Sequence, residues 1–450
     1  MGQLPTSRPV NAQQCRAAVV GAGIAGLSAA IALRRAGWRV IVYEKSQFKN
    51  EIGAAITITP NATLVLERFG FDFSKFGGVP NEMLLRYDAT DLSLLQKDYY
   101  GPGSVGNEWS RFWSVHRVDL HNGLRELATQ PQHEPETLGP PVAIKLGQEI
   151  IGVDCETGTV KLKDGRQEQH DLVVIADGAH SRLIEDFTGK ASTVHRTGRS
   201  IYRWLLSMDD VNADPLLQKL YADPEGTERS GFVAWGDKDS RILWVSYKCR
   251  GGKVLNNAVV HDTQTGEGEE DLWQSPVSQE RVLKHLRNFH SSVQKMVSMT
   301  SEDGIKAHHL YKRAPLRSFV RGKALVVGDA AHVMMPTHAA GAGVAIETAA
   351  TLETLFNFSG VGEKDTWTME RRLEVFNKLR VPRCNLAMLS SNAGPEWLQV
   401  PGVEDEIRKY YSGPLPPVDA MPYGSAFRDV LFKHDEYRAA RECMDETAKT

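Results

Sequence analysis

Two runs of small residues, about three hundred positions apart, carry the first chemistry in the chain: GAGIAG at Gly21 to Gly26, and GDAAHVMMPTHAAGAG from Gly328 to Gly343. In the first run Gly21 permits a tight turn, Gly23 lets the backbone approach a pyrophosphate, and Gly26 lets helix and strand pack closely. Unpaired N–H groups at the helix start then face the phosphates. Glu44 closes VIVYE, 18 residues after Gly26. An acid there accepts from a ribose 2′-hydroxyl and would repel a 2′-phosphate, which leaves an adenosine with a free 2′-hydroxyl, as in NAD or FAD.

In the second run Asp329 follows ALVVG directly, where a carboxylate can hydrogen-bond a polyol leaving the pyrophosphate. Gly341, Ala342 and Gly343 are small enough for backbone to touch a flat ring, and the helix that starts there would stabilise negative charge developing on it. One ligand held at both ends explains both runs, and FAD has those parts in that order. Arg203 lies in the strand-like IYRWLL, where an unpaired charge is costly to bury, so it should face a ligand or an acid. Trp204, Phe232, Trp235 and Trp244 are available as aromatic walls, with Trp235 and His338 expected at the substrate. His332 should hold the GDAAH loop.

These residues need a scaffold. RAAVVGAGIAGLSAAIALRRAGWRVIVYEK reads as a βαβ unit: an apolar strand, the glycine turn, a helix with Ile24, Leu27, Ile31 and Leu33 at helical spacing, and a second strand. DLVVIADG and GKALVVGDAAH are further apolar runs ending in small and acidic residues, as in parallel strands covered on both faces. Between them SIYRWLLSM, SGFVAWG and RILWVSYKC alternate as in a more antiparallel sheet. The expected class is α/β: a Rossmann-like FAD-binding domain with an inserted mixed or antiparallel substrate domain and C-terminal helices, one of them interrupted or kinked at Pro382. The divisions are 1–85, 110–190 and 305–400 for the FAD-binding domain, 86–109 and 191–304 for the substrate domain, and 401–450 for a C-terminal helical segment.

With GAGIAG and Glu44, ADGAHSR (Ala176 to Arg182) and GDAAHVMMP in that order, the chain resembles the FAD-dependent aromatic hydroxylases, the salicylate-hydroxylase-like single-component flavin monooxygenases that include fungal natural-product enzymes. The resemblance runs from about Ala17 to Leu389. It implies that Asp177 belongs to a motif serving both FAD and the nicotinamide donor. It further implies that Arg117 contacts the ribityl and pyrophosphate region, that Thr57 makes a main-chain contact beside the flavin where relatives often carry glycine, and that Arg203 touches substrate and assists oxygen transfer. Ala340-Gly341 and Glu347-Thr348 depart from the Gln-Gly and Glu-Asp of relatives. The implied chemistry uses NAD(P)H and O₂: the reduced flavin's C4a-hydroperoxide hydroxylates or epoxidises an electron-rich aromatic substrate. Trp235, taken to stand where phenol hydroxylases place a tyrosine, favours a larger natural product such as an indole alkaloid over a phenol or salicylate of aromatic catabolism. An FAD oxidase or reductase that does not oxygenate is the alternative from another class.

The bulk numbers narrow the partners. A chain of 450 residues, 41% hydrophobic and 24% charged with net charge −3, has no basic footprint for nucleic acid, so a small molecule is expected. The five cysteines lie far apart without metal spacing, and no transmembrane run or signal core is evident, so a cytoplasmic protein is expected, with no metal. Gly2 and Thr6 fit the loose acylation pattern, but one myristoyl chain anchors only marginally.

Overall fold

The computed structural model describes residues 15–48, 53–100, 111–131, 139–236, 241–263, 275–357 and 367–449; Gly2 and Thr6 lie outside them. A six-stranded sheet organises the first layer, in the order Val320–Arg321, Ala324–Val326, Leu172–Ile175, Arg16–Val20, Arg39–Glu44 and Ala143–Leu146. Every pairing is parallel except that of Val320–Arg321 with its neighbour. Val19 stands in register with Val174 on one side and Val42 on the other, and all three are fully buried. The continuous apolar runs follow from this, since the sheet is covered by the helix Ile24–Arg35 and by a three-stranded sheet, Ile150–Asp154, Thr159–Leu162 and Gln167–Gln169, whose Glu168 accepts from Tyr43.

The helix Ile24–Arg35 leaves the glycine turn and packs along Ala340–Phe356, the long helix of the second small-residue run. The ends of three parallel strands, Val20, Ile175 and Val326, therefore open toward the same place. In sheets of this kind that edge is where ligands bind.

An eight-stranded sheet forms the second layer, in the order Ser275–Pro276, Lys306–Lys312, His195–Ser207, Val254–Asp262, Leu243–Cys249, Gly231–Gly236, Met83–Asp88 and Leu94–Tyr99. Only Gly231–Gly236 with Met83–Asp88 is parallel. Met83–Asp88 and Lys306–Lys312 belong wholly to this sheet, so it extends slightly past the divisions expected at 86 and 304. Side chains alternate across it. Trp204, Val233, Trp235, Trp244 and Val259 form one core with the helices Gln279–His285 and Ser291–Ser298, whereas Leu84, Phe232, Ala234 and Val245 join the core shared with the first layer.

Beyond Ala340–Phe356 the chain continues as the helix Met369–Ala393, which runs through Pro382 without interruption. Proline removes one backbone donor there, and the flanking Arg380 and Arg383 enter a buried ionic group. Glu347 pairs with Arg380 at 2.8 Å and with Arg383 at 3.0 Å, and accepts from Asn61 Nδ2 at 2.6 Å. Arg380 also reaches Glu436 of the last helix, Glu436–Ala448, at 2.5 Å. Two acids and two guanidinium groups thus tie the C-terminal segment to the helix beneath the second small-residue run.

Candidate active site

The first glycine loop has the geometry its residues call for. Gly21 holds φ at 100°, and a Cβ there would stand 2.5 Å from the Ala176 carbonyl oxygen. At Gly26 a Cβ would meet the Gly21 carbonyl oxygen at 2.0 Å, so both positions require glycine. Gly23 differs: a Cβ would meet nothing within 4 Å, leaving the loop open outward, and Gly23 caps Ile24–Arg35 with no side-chain hydrogen bond to the first-turn N–H groups. Open backbone donors at a helix start suit a pyrophosphate. Glu44 is buried and oriented, accepting the Ala22 N–H at 2.8 Å and the Ser46 N–H at 2.7 Å.

Asp177 follows Leu172–Ile175, and its Oδ1 is buried without a hydrogen-bond partner; burial pushes its carboxyl above the ordinary range. Asp329 follows Ala324–Val326 through Gly328, whose φ is 61°. Its side chain is accessible although protein surrounds it, as on the floor of a cleft, and burial also raises its carboxyl. Arg117 opens the helix Arg117–Thr129, donates its N–H to Ala54 at 3.0 Å, and carries its charge within reach of both Asp329 and Arg203. Thr57 lies buried in Ala55–Ile58.

At the other end Ala339, with φ 54°, precedes the helix Ala340–Phe356, and again no side chain caps the first N–H groups. Gly341 and Ala342 are partly accessible. Gly343 is explained by packing: a Cβ there would stand 2.2 Å from Thr59 Oγ1. These groups fit FAD. The open loop, the oriented acid, the unpartnered Asp177 oxygen and the second uncapped helix start supply donors and acceptors from the adenosine to the ring.

The substrate side is set by the parity of the eight-stranded sheet. Arg203 stands in register with Ala258, Ala258 with Val245, and Val245 with Ala234, which puts Arg203, Phe232, Val245 and Tyr247 on the face toward the first layer. Arg203 Nε is buried and unpartnered, and burial weakens the guanidinium's hold on its proton. His308 beside it is pushed down to about 4 by burial and then by the Arg203 charge, so it is neutral at neutral pH.

Two expected substrate contacts are corrected. Trp235 is fully buried on the opposite face, stacked on Tyr87 with ring centroids 5.1 Å apart, because its parity is that of Trp204 and Trp244. His338 is 3% exposed and turns into the C-terminal segment, its ring 4.6 Å from that of Phe427 and its Nδ1 3.4 Å from Ser391 Oγ. Burial pushes it to about 3, so it is a neutral packing residue.

Residues without a local signal join the two layers. Tyr247 donates to the Ala55 carbonyl at 3.0 Å, and Asn256 Oδ1 accepts the Ala55 N–H at 3.0 Å, which fastens the substrate sheet to the strand bearing Thr57. Phe112 packs against Phe232 at 6.3 Å and Phe432 at 5.3 Å, so the C-terminal segment backs the aromatic cluster behind Phe232. Arg313 donates to the carbonyl of Ala330, the residue after Asp329, and its charge acts on Asp177 and Asp329.

A dinucleotide site at the strand ends of a parallel sheet, faced by a second sheet that carries an arginine, defines a flavin-dependent oxidoreductase of two layers. Residues 14–371 match the FAD binding domain family, and the chain belongs to it, as an FAD-dependent monooxygenase of the aromatic hydroxylase type. It is 30% identical over 381 residues to hispidin-3-hydroxylase of Neonothopanus nambi, covering 83% of this chain and 86% of that one. With the FAD-dependent monooxygenase cfoG of Aspergillus candidus it is 30% identical over 435 residues, 95% and 94% of the two chains. Its fold is that of CtdE, solved in complex with FAD and a substrate, at a TM-score of 0.74 and 20% identity over 97% of this chain and 99% of CtdE. Among the described residues no helix is long and apolar enough to cross a membrane.

Proposed function

We propose that the protein uses NAD(P)H and O₂ to hydroxylate or epoxidise an electron-rich aromatic compound in natural-product biosynthesis. The observation that carries this reading is Arg203, a half-buried cation with a buried, unpartnered Nε on the face turned toward the flavin domain. A guanidinium there orients an oxygen-bearing substrate and stabilises negative charge that develops on it. The flavin, when bound, supplies the redox and oxygen-transfer chemistry. The protein's own share is to hold the substrate against the ring and keep water out. Phe232, half-buried on that face and backed by Phe112 and Phe432, provides apolar wall for that task.

The donor reading is supported by a groove of about 630 Å³ in the loop after Asp177, lined by His180, Arg182, His195, Arg196 and Tyr311 and by one acid, Glu185. Its cations suit a pyrophosphate. A biosynthetic role is supported by cfoG and by hispidin-3-hydroxylase, whose name assigns it hispidin as substrate. With Trp235 on the far face, the case for an indole-sized ring over a phenol weakens. A phenol or salicylate therefore stands as the second substrate reading.

Incubation with NADH or NADPH and a panel of phenols, salicylates and indoles under ¹⁸O₂ tests the whole reading. One labelled oxygen in a product is expected. Substrate-stimulated NAD(P)H oxidation that leaves every product unlabelled would establish the oxidase or reductase alternative instead.

A further inference from the structure

Arg313 follows the strand Lys306–Lys312 and is only 3% exposed. One nitrogen, Nη1, donates to the Ala330 carbonyl, while Nε and Nη2 are buried without partners. Among the described residues neither Asp177 nor Asp329 comes within ion-pair distance of it, yet its charge acts on both acids. Those acids follow adjacent parallel strands, paired Ile175 with Val326, so the guanidinium is delivered by the substrate sheet to the strand ends where the cofactor site opens. A buried guanidinium with two unfilled nitrogens is costly unless its charge is used.

We propose that Arg313 is a positioning residue for the flavin: held by the Ala330 carbonyl at the paired strand ends that carry Asp177 and Asp329, its guanidinium keeps both carboxylates charged, as hydrogen-bond acceptors facing the cofactor. The proposal rests on the FAD reading. Poor solvation favours the protonated form of each acid, and a cation at their backs opposes it. Lys45 also faces Asp177; Arg117 and His332 also face Asp329, and Arg380 and Arg313 act on His332 in turn. Among the described residues Arg313 is the cation whose charge acts on both acids. Without it each carboxyl would keep its proton to higher pH and lose acceptor capacity toward the hydroxyls of the cofactor.

Holoenzyme diluted into buffers from about pH 5 to pH 9, with FAD release read by its fluorescence, tests this without any substrate. In Arg313→Met the release midpoint should move up by about one pH unit and affinity at neutral pH should fall about ten-fold. Arg313→Lys should restore most of both, because charge rather than shape is the operative property. In an Asp329→Asn background, Arg313→Met should shift the midpoint by less than half as much, the coupling expected of groups acting on one another. Equal midpoints in wild type and Arg313→Met, or Arg313→Lys behaving like Arg313→Met, would overturn the proposal. Should Arg313→Met fail to fold by far-ultraviolet circular dichroism, Asp329→Asn alone decides: its release curve must flatten on the acid side, and an unchanged curve refutes the role. Wild-type protein that retains no flavin would refute the FAD reading itself, a different outcome from either.

Discussion

The Tyr247 hydroxyl donates to the Ala55 carbonyl at 3.0 Å, joining the middle of the substrate sheet to the first residue of the strand that carries Thr57. Asn256, directly across from Tyr247 in the sheet register, accepts the Ala55 N–H. Both backbone polar groups of one residue at the flavin side are thus held by side chains of the other layer. The spacing between Arg203 and the flavin site depends on that joint.

Tyr247→Phe leaves the Ala55 carbonyl short of a donor in a buried place. The variant should lose about 1–2 kcal/mol of stability, visible as a lower thermal midpoint, while keeping its flavin. Product formed per NAD(P)H consumed should also fall, since the two layers are no longer fixed against each other. A thermal midpoint equal to that of wild type would show that the hydroxyl bears no load.

Arg203→Ala removes the guanidinium that its strand carries on the same face as Tyr247. Flavin content should persist while coupled product formation drops about ten-fold or more, equivalent to at least ~1.4 kcal/mol of transition-state stabilisation. Quantifying labelled product against NAD(P)H consumed separates this from a loss of folding. Undiminished coupled turnover would take Arg203 out of the mechanism.

How far the sequence reaches is visible in three places. Gly21, Gly23, Gly26 and Glu44 act within one βαβ unit, so their spacing alone fixes the loop, and the structure keeps it. The inserted sheet was legible as alternating strands, but alternation gives two faces without saying which is turned inward. That depends on pairings such as Arg203 with Ala258, made between segments more than fifty residues apart, and it is why the sequence points to Trp235 at the substrate and carries no signal for the Tyr247 tether. Arg313 stands in the charged YKR, where nothing local distinguishes it from a solvated basic residue. Its meaning comes from two acids carried by another sheet.

Trp235 and Phe232, three residues apart on one strand and on opposite faces of it, should respond differently. Trp235→Ala opens a cavity in the rear core and should cost about 3–5 kcal/mol, with the order of preferred substrates unchanged in the protein that still folds. Phe232→Ala should cost less stability and raise KM by roughly three-fold or more, as loss of substrate contact would. A rearranged substrate preference in Trp235→Ala would return that residue to the site.

Glu347 gives the protein a stability that depends on acid. Burial alone would raise its carboxyl, but the guanidinium groups of Arg383 and Arg380 outweigh this and hold it far below its ordinary value of 4.5. A carboxyl depressed in the folded state contributes fully above the unfolded value, and the contribution shrinks as pH falls below 4.5 toward the folded one. Glu347→Gln should therefore be less stable than wild type at pH 7, by about 3–5 kcal/mol, because two buried cations lose a partner. On acidification from about pH 5 to pH 3 the thermal midpoint of wild type should fall more steeply than that of the variant, so the two curves converge. Because Arg380 also binds Glu436 of the last helix, the variant's C-terminal segment should be cleaved sooner in limited proteolysis at pH 7, and wild type should lose that protection only in acid. Parallel midpoint curves across the acid range would mean that the carboxylate of Glu347 is not what the two arginines stabilise.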